Sequence, residues 1–167
     1  MVRRETTGTP ATLALARAGV TFTTHLYEHD PRSSSFGLEA AQALGLSPDE
    51  VFKTLMALVD GRPVIAVVPV SGSLDLKALA AVAGGRRAEM ADPAQAARLT
   101  GYVVGGISPI GQKRPLPTYI DETAELFDEV FVSGGRRGLD IGLAPADLLR
   151  MTDGLLAAIS RSPDAGH

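Results

Sequence analysis

A mixed α+β fold around a curved sheet of about seven short strands is what this sequence predicts, and three observations carry that expectation. Short β-branched and aromatic runs are interspersed with short helical patterns, without a regular βαβ rhythm and without an internal repeat. Two runs, residues 51–59 and 63–70, face each other across an Asp60-Gly61 reversal, a tight hairpin signal, and the second is the most continuous apolar run of the chain. Composition is globular: 167 residues, 45% hydrophobic and 21% charged, with aromatics at 5% and no Trp, so Ala, Val and Leu must build the core. A chain of this length can bury about 70% of its unfolded surface as one domain. We expect a single domain over residues 1–167, its core at about 9–160 and its termini loose.

The elements follow from local signals. Thr9 is placed to cap a helix that Pro10 opens and Gly19 ends. Residues 21–28 read as a strand delivering Tyr27, His29 and Asp30 to its far end. A loop through Asp30-Pro31 and residues 33–35 precedes a helix over 36–44, stopped by Gly45. Residues 51–59 form a strand with one conspicuous charge, Lys53. An amphipathic helix over 74–83, carrying Lys77, closes at Gly84-Gly85; a short strand over 86–90 and a helix from Asp92-Pro93 through Leu99 come next. Residues 118–121, 129–133 and 139–143 read as strands, the second ended by Gly134-Gly135, and Ala144-Pro145 opens a last helix over 146–152.

Residues 101–114, GYVVGGISPIGQKR, are the candidate pocket lip. Val103 and Val104 predict an extended entry, the glycine pair removes side-chain atoms from the path, and Pro109 stiffens the second half of the loop. The expected result is a rim of backbone N–H groups, with Lys113 and Arg114 beyond it, suited to an anion or a developing oxyanion. It is not a phosphate-binding Walker loop, because Gln112 stands where the lysine should be. Nor is it a nucleophile elbow, because Ile110 occupies the place of the required glycine after Ser108.

Charge and composition exclude several classes. The net charge of −3 argues against a protein that coats nucleic acid, yet the pairs Arg86-Arg87, Lys113-Arg114 and Arg136-Arg137 can meet a few phosphates. With no cysteine there is no disulfide framework, no thiolate zinc site and no cysteine nucleophile. Residues 1–7 lack an apolar run behind their arginines, so neither a signal peptide nor an anchor is expected, and the cytoplasm is the default location. His25 and His29 lack a third firm ligand, and a structural or surface role is the favoured reading over a metal.

Four blocks carry a family resemblance: THLYEHD at 24–30, VFKTL at 51–55, EMADP at 89–93 continuing to Lys113 through the glycine stretch, and VSGGRRGLDI at 132–141. They resemble the YbaK-type aminoacyl-tRNA editing domains, related to the insertion domain of bacterial prolyl-tRNA synthetases, nearest to the free-standing Cys-tRNA(Pro) deacylases. The resemblance spans about residues 9–160. It implies a partly barrel-like mixed sheet with flanking helices, and hydrolysis of the ester that joins a wrong amino acid to the terminal ribose of a transfer RNA.

By position, the resemblance puts the family's essential lysine on Lys53, its first-strand tyrosine on Tyr27 and its glycine-proline loop on Gly105 and Pro109. It implies further substrate contacts at Thr54, Ile107, Ser108, Ser133 and Asp140. It also implies that the thiol of a mischarged cysteine attacks its own ester carbonyl, with no cofactor and no protein nucleophile. Lys53 in an apolar strand needs an anion or water at a cleft, and N–H groups near Gly105 and Gly106 can serve an oxyanion. Two readings remain for Asp140, binding the substrate amino group or orienting Lys53, and two for Tyr27, packing against the ligand or hydrogen-bonding it. Lys113, Arg114, Arg136 and Arg137 are the nucleic-acid candidates. The implied partners are the acceptor end of a mischarged transfer RNA and, transiently, prolyl-tRNA synthetase, with no membrane. A non-catalytic RNA-end or synthetase-binding module and an alanine-directed deacylase of the same fold are the alternatives, separable by turnover on different acyl esters.

Overall fold

In a computed structural model, residues 8–33 and 35–162 are described; residues 1–7 and the tail beyond Ser162, for which loose termini are expected, lie outside the described residues. Among the described residues five α-helices, α1 (Pro10–Arg17), α2 (Phe36–Leu44), α3 (Leu76–Val82), α4 (Pro93–Thr100) and α5 (Pro145–Thr152), are interspersed with strands β1 (Thr23–Leu26), β2 (Phe52–Val59), β3 (Arg62–Pro69), β4 (Ser73–Leu74), β5 (Ala88–Met90), β6 (Thr118–Asp121), β7 (Val130–Arg136), β8 (Leu139–Leu143), β9 (Leu155–Ala157) and β10 (Ser160–Arg161).

The β2–β3 hairpin is the spine, in continuous antiparallel register from Phe52 opposite Pro69 to Val59 opposite Arg62. Its turn places both Asp60 (φ 50°) and Gly61 (φ 83°) in the left-handed region, the conformation whose twist matches a two-residue hairpin. β5 adds to β2, while β6 and then β9 add in parallel beyond β3. Both faces of this sheet are covered. Phe52, Met56, Ile65 and Val67 pack with Ile120, Val132, Ile141 and Leu148 on one side, and Ala57, Val64, Ala66 and Val68 pack with Leu79 and Ile159 on the other. Double coverage explains the unbroken apolar run of β3.

A second sheet, in the order β1-β8-β7, meets the first at one corner. There Val51 bridges Phe131, the Phe131 N–H donates to the Glu50 carbonyl at 3.0 Å, and the Val70 N–H donates to the Val51 carbonyl at 2.8 Å. The sheets join without closing, so the barrel character is partial. A two-stranded β4–β10 pair completes the set.

Three expectations are corrected. Ten short strands form among the described residues where about seven are predicted; β4, β9 and β10 are too short to show a period. β7 does not stop at Ser133 but runs through Gly134 and Gly135 to Arg136, because a register shift between Ser133 and Arg136 absorbs the glycines as a bulge. Residues 101–104 are not a strand. Gly101 caps α4 in the left-handed region (φ 82°), and the Gly106 N–H closes back on the Val103 carbonyl at 2.9 Å, so the β-branched pair sits exposed on a turn.

Candidate active site

A cavity of about 420 Å³ opens at the corner where the two sheets meet. Strand alternation supplies one wall. His25 and Ser133 both lie opposite Asp140 in register, so these side chains share a face, while Leu139, Ile141 and Val132 point to the core on the other. Tyr27, just past the end of β1, and Ser133 and Asp140 line the cavity from this wall. Lys53 and Thr54 enter from the start of β2, Phe36, Gly37 and Leu38 from the first turn of α2, and Val104, Gly105 and Ile107 from the loop after α4.

The two opposite charges in the cavity are not an ion pair. Lys53 is half-buried, with no carboxylate in salt-bridge range among the described residues, and burial pushes its ammonium below the ordinary lysine value. Asp140 is 5% exposed, and burial pushes its carboxyl up to about 7. Had the two been paired, each would be held in its charged form and both shifts would run the other way. Of the two readings of Asp140, orientation of Lys53 through an ion pair is therefore not what this geometry offers. The Tyr27 hydroxyl is pushed up to about 12, first by burial and then by the charge of Asp140, against a hydrogen bond from the Gly138 backbone, so it stays a neutral donor. Thr54 Oγ1 is buried without a hydrogen-bond partner, which marks a place for a ligand atom or water.

The loop is held by its own side chains. The Tyr102 hydroxyl donates to the Ile110 carbonyl at 2.7 Å, the Ile110 N–H to Ser108 Oγ at 3.2 Å, and Gln112 Nε2 to the Ser108 carbonyl at 2.9 Å. Ser108 is thus a fully buried clamp, and Pro109 is buried on the far side, where it lines a separate hollow with Arg150. The expected rim of free N–H groups is narrower than the sequence suggests, because that of Gly106 is spent on Val103. A side chain at Gly106 would also meet the Arg136 backbone at 2.8 Å. Gly105 faces the cavity in the left-handed region (φ 87°), and no described residue accepts its N–H.

The remaining candidates lie elsewhere. Lys113, Arg114 and Arg136 do not line the cavity, and Arg137 Nε donates to the Val104 carbonyl at 2.8 Å. His25 Nε2 is 2.7 Å from Thr23 Oγ1, and His29 Nδ1 is 2.7 Å from Glu39 Oε1. Among the described residues no three His, Cys, Asp or Glu side chains gather to hold a metal.

Sequence reasoning missed the α2 contribution. The signal was Gly37, a poor helix former in a first turn: its missing side chain lets α2 press onto Val70, with Lys53 Cβ 4.0 Å from where a Cβ would stand.

Comparison with known proteins agrees with this architecture. A family model described as aminoacyl-tRNA editing domain matches residues 33–151. Over 121 residues the chain is 41% identical to EbsC of Enterococcus faecalis, a protein named for Cys-tRNA(Pro)/Cys-tRNA(Cys) deacylation; the match spans 72% of this chain and 74% of that protein. Over 115 residues it is 33% identical to the multifunctional Ser/Thr-tRNA deacylase ProXp-y of Escherichia coli, spanning 66% and 69% respectively. A crystal structure described as a trans-editing enzyme for prolyl-tRNA synthetase superposes with a TM-score of 0.77 at 28% identity, over 92% of this chain and 96% of that one.

Proposed function

The chain belongs to the aminoacyl-tRNA editing domain family, and from that premise we propose that it is a deacylase acting in trans on mischarged transfer RNA, with cysteine on tRNA(Pro) as its substrate. One observation carries the reading. A half-buried ammonium with no carboxylate partner among the described residues, that of Lys53, shares a 420 Å³ hollow with Gly105, for whose N–H no described residue is an acceptor. The volume lies in the range of small-molecule sites, about 300–1,000 Å³, and suits an aminoacyl group with part of its terminal nucleoside. Leu38, Met90 and Val104 leave apolar surface exposed at the mouth, against which an unpaired base can stack.

In this reading Lys53 holds a phosphate or ester oxygen of the terminal nucleotide, and the Gly105 N–H meets the oxygen that gains charge when the carbonyl is attacked. Asp140 and Tyr27 face the substrate amino group. The cysteine sulfur bonds to its own carbonyl carbon and the bond from that carbon to the ribose oxygen breaks. The thiol proton leaves with the ribose oxygen, and water opens the resulting thiolactone. Holding thiol and carbonyl in contact supplies much of the acceleration. The protein would act in the cytoplasm as one domain, with prolyl-tRNA synthetase as a transient partner that contributes transfer RNA selection. Among the described residues no helix is long and apolar enough to cross a membrane.

The unpartnered Thr54 hydroxyl favours a second reading, in which it bonds the side-chain hydroxyl of a seryl or threonyl ester and water is the nucleophile. A deacylation panel of cysteinyl, seryl, threonyl, alanyl and prolyl esters on the same tRNA(Pro) separates the two. The first reading expects cysteine to be released fastest. Faster release of serine or threonine gives the second, and binding without turnover of any ester would leave only a capture module.

A further inference from the structure

We propose that Arg137 is a positioning residue for the Gly105 N–H, acting through the Val104-Gly105 peptide, and not a phosphate contact; the role rests on the deacylase reading above. Arg137 lies in the turn between β7 and β8, a place where the sequence alone suggests an RNA-facing charge. Its guanidinium is already engaged on two sides. Nε donates to the Val104 carbonyl at 2.8 Å, and the guanidinium carbon stands 4.9 Å from the centroid of the Phe36 ring. That ring in turn covers Gly105, where a Cβ would approach it to 2.8 Å. Phe36, Val104 and Gly105 all line the cavity.

The peptide plane transmits this contact to the cavity. The carbonyl of Val104 and the N–H of Gly105 belong to one planar trans unit, so they point in opposite directions. A cation that fixes the oxygen on one side therefore aims the N–H away from itself. The same bond draws electron density from the carbonyl, and a polarised amide is a stronger donor at its other end. The Gly106 N–H to Val103 carbonyl bond closes the turn without fixing its central peptide, so without Arg137 the left-handed Gly105, preceded by exposed Val103 and Val104, leaves this peptide free to rotate. Lysine cannot substitute, because a point charge lacks both the planar face that rests on Phe36 and the fixed donor angle of Nε.

The test compares Arg137→Lys and Arg137→Ala with the wild type, using whichever ester the wild type releases in the panel. Positioning expects both variants to lose about 10- to 100-fold in kcat, with KM and its dependence on salt little changed. Two results overturn it: Arg137→Lys retaining wild-type kcat, or Arg137→Ala raising KM alone while the slope of log affinity against log salt falls by about 0.7–0.9, as for one lost phosphate. A second arm needs no substrate. Amide hydrogen exchange over residues 103–107 of the free protein should be faster in both variants, and unchanged protection in both overturns the proposal. A wild type that releases no amino acid defeats the deacylase reading, while the exchange arm still reports on the Arg137 contact.

Discussion

The β2–β3 hairpin and the loop over residues 101–117 face the same cavity but are held by different means. The hairpin is fixed by a full ladder of backbone bonds and by burial on both faces, so its shape survives changes at almost any single side chain. The loop has no ladder. Its conformation rests on a few side-chain clamps, Tyr102 on Ile110, Ser108 on Ile110 and Arg137 on Val104, and on glycines in the left-handed region, where a side chain is strained. A rigid strand carries the charge, and a side-chain-stapled loop carries the backbone donor. Variants in the strand should therefore separate activity from stability, whereas variants at the cavity end of the loop should couple them.

The sharpest separation is expected at Lys53. Lys53→Met keeps most of the side chain's length and its unbranched shape and removes a charge that burial already disfavours. Its kcat/KM on the preferred ester should fall by at least about 10²–10³, with a thermal midpoint equal to or above that of the wild type. Steady-state kinetics beside a melting curve decides it, and full activity in the variant removes Lys53 from the mechanism. Coupling is expected at Gly105. Gly105→Ala forces a side chain into the left-handed region at φ 87° and into the Phe36 ring, at a cost of about 1–3 kcal/mol. Because the donor peptide itself must move, activity should fall with stability, by about 10-fold or more. A variant that loses stability but no rate would mean that the N–H of Gly105 touches nothing that reacts.

The same contrast explains how much the sequence reveals. The hairpin, its Asp60-Gly61 turn, the Thr9 and Asp92 caps and the left-handed stop at Gly45 are all legible because each is decided by neighbours in sequence. Lys53 stands out for a similar reason, as a lone charge in an apolar run. The loop misleads because Val103 and Val104 have strand propensity, while their fate is set by Gly101 capping α4 and by Arg137, far along the chain. Phe36 and Gly37 line the cavity through the way α2 packs on Val70 and Gly105; Gly37, a poor helix former in a first turn, hints at a close approach but does not say to what. Arg137 looks like half of a basic pair; its engagement with Phe36 is a fact of tertiary structure.

Asp140 tests the wall that faces both regions. Its folded value, about 7, lies above that of an unfolded aspartate, so the folded state holds the proton more tightly. Its stabilising contribution is complete below the unfolded value near 4, is lost as pH rises toward 7, and changes no further above that. Asp140→Asn removes the titration and should make stability flatter between about pH 4 and 7, with a gain at neutral pH on the order of a few kcal/mol at most. Activity moves the other way. An ionised Asp140 attracts a substrate ammonium, so kcat/KM of the wild type should rise through about pH 7, and the asparagine variant should lose that limb. A pH profile unchanged by the substitution would assign the limb to another group.

The smallest effect is expected at Tyr102, where the loop is clamped at its outer end. Tyr102→Phe deletes the 2.7 Å bond to the Ile110 carbonyl and the contact from the buried Ala11 N–H to the hydroxyl oxygen while keeping the ring packed, so the loss is about 1–2 kcal/mol. Gly111 offers the hydroxyl only a longer alternative at 3.4 Å, and Ile110 is fully buried, so water cannot easily replace the donor. Tyr102 does not line the cavity, and the Gly105 peptide has its own anchor in Arg137. The thermal midpoint should therefore drop by a few degrees while kcat stays within about threefold of the wild type. A larger fall in kcat than in Arg137→Ala would reverse the order of control, making the outer clamp and not the guanidinium the element that sets the rim.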